Sequence, residues 1–67
     1  MEKNNLKNGL YYCNMNGVYK FISNGILGDK PVSAFYVCDY NEDLERYEET
    51  SVFYFMDEEE VGTLDYL

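Results

Sequence analysis

At 67 residues the chain has room for one small domain, and its 46% hydrophobic and 18% aromatic content places it with globular proteins rather than with disordered acidic tails. Thirteen Asp and Glu stand against five Lys and Arg, a formal charge of −8, and there is no histidine. That balance excludes direct binding to nucleic-acid phosphates, which takes a basic footprint, and with it histidine-dependent catalysis and Cys2His2 zinc sites.

Residues 1–8 are polar and read as a flexible N-terminal arm, with residues 9–67 forming a single small β-rich domain. Neither an apolar signal core nor a run of membrane-span length occurs, so the expected location is cytoplasmic with no membrane partner. Leu10, Tyr11, Tyr12 and Cys13 are strand formers, and Asn14, Met15, Asn16 and Gly17 carry the chemistry of a tight hairpin turn. Residues 18–23 are the return strand. Ile26 and Leu27, between Asn24-Gly25 and Gly28-Asp29, read as a short extended link or the tail of a kinked strand. Pro31 marks the start of the next element, since proline is tolerated at a strand's first position and not in its middle.

Residues 32–40 and 51–56 are apolar on both alternating faces, which demands cover on both. The fold class expected is therefore mainly β, a small antiparallel sheet or an SH3-like partly open barrel of about five short strands. Between these two runs, Asn41 can cap a short acidic helix over residues 41–49, with an acidic loop as the alternative. Residues 61–67 make a last short strand or a docked tail. Cys13 and Cys38 are too far apart in sequence for a Cys-x-x-Cys motif and read as reduced thiols packed as small hydrophobes, with a disulfide between them as the alternative.

The charge is uneven along the chain. Up to Ser33 there are four lysines and two acids; from Ala34 onward there are eleven acids and one arginine. The acids fall into two clusters, which would make one negative surface if the fold brought them to one side. Such crowding costs stability through self-repulsion, and its retention points to a use. The candidate partner-binding residues are Glu42, Asp43, Glu45, Glu48, Glu49, Asp57, Glu58, Glu59 and Glu60, with Tyr40, Tyr47 and Tyr54 as aromatic anchors that combine contact area with a polar tip.

Other chemistries find little to stand on. Asp39-x-Asn41-x-Asp43 has the first spacings of a calcium loop, but Leu44 stands where its glycine belongs and Thr50 where its bidentate glutamate belongs. No histidine activates the serines or cysteines, and no carboxylate pair is marked out. No catalytic residue, cofactor or metal site is assigned, and the chain is expected not to be an enzyme.

The short-strand spacing, with an acidic stretch leading into Glu58, Glu59, Glu60 and Val61, is similar to small SH3-like barrels of the Tudor kind. In size and charge density the chain also resembles phage-encoded DNA mimics and anti-defence inhibitors. That resemblance implies a non-enzymatic inhibitor from a phage or mobile element, occupying the basic nucleic-acid-binding surface of a host protein. The alternatives are a self-associating accessory domain, acting as a homodimer, and an antitoxin-like neutraliser of a basic toxin.

Overall fold

The computed structural model describes all 67 residues as one antiparallel sheet with a thin second layer. Its strands are β1 (Tyr11–Asn14), β2 (Gly17–Leu27), β3 (Lys30–Asn41), β4 (Arg46–Met56) and β5 (Asp65–Tyr66), in spatial order β4-β3-β2-β1-β5. A four-residue helix, α1 (Glu58–Val61), lies between β4 and β5. β4 and β5 are both edges, so the sheet is not closed into a barrel. No helix is long and apolar enough to cross a membrane.

The turns follow from local chemistry. In the first hairpin the Asn14 side chain accepts from the Asn16 N–H at 2.9 Å. Gly28, at φ 64, leads the two-residue turn between Leu27 and Lys30, where a left-handed first residue matches the twist of the flanking strands. A bulge where the register shifts between Phe21 and Ser23 kinks β2, and the strand carries on through Ile26 and Leu27 to the hairpin tip.

Strand alternation sorts the side chains into two faces. Tyr12, Tyr19 and Val37 lie side by side across three strands, as do Phe21, Phe35 and Tyr54, with Ser33 beside Met56. This face carries the core, in which Tyr12, Phe35 and Met56 are fully buried. Phe35 meets Tyr19 and Phe21 edge-on, with ring centroids 6.0 and 5.5 Å away. The one buried polar residue, Ser33, donates to the Asn24 side chain at 2.5 Å.

Residues 1–8, expected as a flexible arm, are docked over this face, with Leu6 in its core. Leu6 is buried in the core cluster beside Val61 and Leu64, and Met1 packs against the cluster. Polar bonds hold the segment along its length: Met1 N to Gly62 O at 3.2 Å, Asn24 Nδ2 to Lys3 O at 3.3 Å, Lys7 N to the Tyr12 hydroxyl at 2.9 Å and Asn8 Nδ2 to Ile22 O at 2.6 Å.

The acidic helix over residues 41–49 does not form. β3 runs to Asn41, residues 42–45 turn, and β4 begins at Arg46. Asn41 does use its side chain on the following amides, Asp43 N at 3.0 Å and Leu44 N at 3.2 Å, but as the start of a hairpin loop. Glu45, at φ 52 the only non-glycine residue in the left-handed region, then reverses the chain. Pairing of Tyr40 with Tyr47 and Asp39 with Glu48 replaces the helix, whose two to three turns have little stability of their own.

Candidate acidic face along the β4 side of the sheet

The hairpin between β3 and β4 places the first acidic cluster at one end of the edge strand β4, and α1 places the second just past the other end. Both clusters therefore lie on the β4 side of the sheet. The turn of residues 42–45 and α1 do not meet: Arg46 and Met56 pair with Asn41 and Ser33, eight steps of about 3.3 Å apart on β3, so about 26 Å of sheet separates them.

Several of the candidate carboxylates have partners within the protein. Glu49 meets Lys20 Nζ at 2.7 Å, and this bond is the first cause of a Lys20 pKa raised above the usual lysine value. Glu48 accepts from Asn41 Nδ2 at 2.6 Å and lies 3.8 Å from Arg46. Glu58 pairs with Lys3 at 3.2 Å, Glu60 accepts from the Tyr54 hydroxyl at 2.7 Å, and Asp57 caps α1 by accepting from Glu60 N at 2.8 Å. Glu42, Asp43, Glu45 and Glu59 have no side-chain partner and are exposed, as is Asp39. The uncompensated charge thus concentrates at the turn of residues 42–45, with a lesser share at α1.

The three tyrosines are divided between the faces. Tyr40 and Tyr47 are cross-strand partners beside the acidic turn, stacked edge-on at 5.1 Å on the face away from the core. Tyr54 is on the core side, stacked on Tyr19 at 5.4 Å with its hydroxyl tied to Glu60. It serves to hold α1 against the sheet, and its pKa is raised chiefly by that hydrogen bond.

The face away from the core lacks the cover that the sequence pattern demands. It buries only Val18 and Cys38, while Phe53 and Phe55 are about half exposed and Tyr36 stacks on Phe53 at 4.9 Å. At its acidic end it is concave. Tyr11 and Leu67 face Arg46, Tyr47, Glu48 and Glu49 across a cavity of about 420 Å³, and Lys20 reaches from the Tyr11 ring, 5.7 Å away, to Glu49. Tyr47, Glu48 and Glu49 in this hollow were singled out from sequence, whereas Tyr11, Leu67 and the exposed pair Phe53 and Phe55 were not; the two-faced apolar pattern of residues 51–56 was the signal for that pair.

The cysteines share this face and are kept apart. Val18 pairs with Cys13 on one side and Cys38 on the other, so two strand spacings, about 10 Å, separate Cα atoms that a disulfide would need within about 7 Å. Burial raises the Cys38 pKa, with Glu49 adding to it, which keeps the thiol protonated. No three Cys, Asp or Glu side chains converge as metal ligands would.

The fold and site define a small open β-sheet domain with a charged edge. No protein-family model, no curated protein and no solved structure matches the chain.

Proposed function

We propose that this protein is a non-enzymatic acidic binding protein whose β4 side docks on the basic, nucleic-acid-binding surface of another protein and blocks it. The observation that carries the reading is the concentration of unpartnered carboxylates, Glu42, Asp43 and Glu45, on a tight turn next to the exposed Tyr40. Internal ion pairs account for Glu48, Glu49 and Glu58, but none accounts for these three. Stability alone would trim such repulsion, whereas a phosphate-binding surface rewards it with fast, salt-sensitive association. A phage or mobile-element origin and action in the host cytoplasm belong to the same proposal.

The test is capture from a bacterial lysate followed by competition. The immobilised protein should retain a basic nucleic-acid-binding protein at low salt, release it at high salt, and displace DNA or RNA from it. Reversing Glu42, Asp43 and Glu45 to lysine should weaken that binding at least tenfold with the fold intact. Retention of no basic protein, or an affinity unchanged by the triple reversal, would refute the proposal.

A further inference from the structure

β4 is the edge of the sheet, and outside its ladder with β3 only one backbone group of residues 46–56 is engaged, the Val52 N–H, which donates to the Thr50 hydroxyl at 3.1 Å. Thr50 also donates to Val37 O at 2.8 Å. It fills the irregularity where Tyr36 pairs with Phe53 but Cys38 pairs with Glu49, so that three residues of β4 stand opposite one of β3. Beyond this bulge the strand is regular: Phe53, Tyr54, Phe55 and Met56 pair in step with Tyr36, Phe35, Ala34 and Ser33. In an antiparallel ladder alternate residues turn their N–H and C=O groups outward, so this run presents an open hydrogen-bonding edge. Val52, Phe53 and Phe55 are 57%, 56% and 48% exposed along it.

A long apolar edge invites another strand, and its flanks select which one. Residues 57–60 carry four acids past one end, while Glu48, Glu49 and the turn acids lie past the other. A second copy of this chain, paired in either direction, would bring acids against acids at both ends, which disfavours self-pairing. An extended segment with basic ends meets the opposite charge at both.

We propose that the run from Val52 to Met56 is a strand-addition site for an extended segment of a partner protein. That segment has two apolar side chains at alternate positions over Phe53 and Phe55 and lysine or arginine at each end. Main-chain hydrogen bonds supply the affinity in such additions, and the alternate side chains with the flanking charges supply the selection. The inference rests on the acidic-docking reading and specifies the form of what docks, an extended segment rather than a folded basic face.

The probe is a synthetic peptide with an alternating Thr/Val core and two lysines at each end, titrated into the intact protein. Binding should slow hydrogen exchange of amides within residues 53–56 at least tenfold at saturation. N-methylating alternate core amides, which removes main-chain donors and keeps the charge, should weaken binding at least tenfold, as should Phe55→Ser in the protein. Because N-methylation is made in the peptide, the test stands even if that variant unfolds. Equal affinity of the N-methylated peptide, or unchanged exchange across residues 53–56, overturns strand addition and leaves charge docking standing. Protection of this run in a protein that captures no basic nucleic-acid-binding protein supports strand addition and sinks the blocking function alone.

Discussion

Truncating Leu6 to alanine tests whether the N-terminal segment is a structural layer. Leu6 is 7% exposed in the core cluster with Val61, Leu64 and the aromatic rows of the sheet. The change removes three carbons at about 0.8 kcal/mol each, or about 2.4 kcal/mol of lost transfer energy. The space left behind adds to this, but Met1 packs alongside and can partly fill it, so the expected cost is about 2–3 kcal/mol. A domain of this length has about 3–10 kcal/mol of stability in all, so the variant forfeits a large fraction of it. Urea denaturation should show a lower midpoint with an unchanged slope, and thermal melting should shift down by about 10–20 °C. An exposed arm would give a surface-like effect, within about 0.5 kcal/mol. A measured cost in that range would refute the docked arrangement of residues 1–8.

Glu45→Gly should stabilise the protein by less than about 1 kcal/mol, because relief of the left-handed strain is largely offset by the glycine's freedom in the unfolded chain; a clear loss of stability in urea would contradict the turn geometry at φ 52. Mild oxidation of the folded protein should give no intramolecular Cys13–Cys38 bridge, and Cys13 should react with a thiol reagent faster than buried Cys38; mass spectrometry showing the two-hydrogen loss without unfolding would disprove their separation. Tyr19 and Tyr54 both have raised pKa values, Tyr19 mainly from burial and Tyr54 mainly from its bond to Glu60. In each case the folded state holds the phenol proton more tightly than the unfolded chain, so their contribution is complete below pH of about 10 and is lost as pH rises through the folded values. Alkaline titration followed by tyrosinate absorbance should show these two rings ionising above the ordinary tyrosine value, and Tyr54→Phe should flatten the fall in stability above pH of about 10. An unaltered profile in that variant would count against the Tyr54–Glu60 bond.

The elements that were legible from sequence are those whose signals are local. Asn14 to Gly17 form the hairpin turn, and the alternating apolar runs at residues 32–40 and 51–56 are strands. The helix expected over residues 41–49 failed because Asn41 serves an N-cap and a hairpin loop by the same hydrogen bonds to the next amides. What decided between them was pairing with β3, a partner that the periodicity of residues 41–49 does not reveal. Asp57 is the converse case: its capping role and the acids after it were masked because they read equally well as a solvated charge run.

The candidate site divides along the same line. Residue order by itself established that the negative charge belongs to the second half of the chain and that residues 51–56 are apolar on both faces. Which carboxylates remain free was decided by the tertiary structure, because Lys20 reaches Glu49 across two strands and Lys3 reaches Glu58 across most of the chain. Tertiary structure likewise set Tyr54 to bracing α1, left Phe53 and Phe55 on an open edge, and drew Leu6 into the core with Met1 packed against it. Charge and periodicity are written residue by residue. Compensation and cover depend on pairs far apart in sequence, and only strand order and register bring those pairs together.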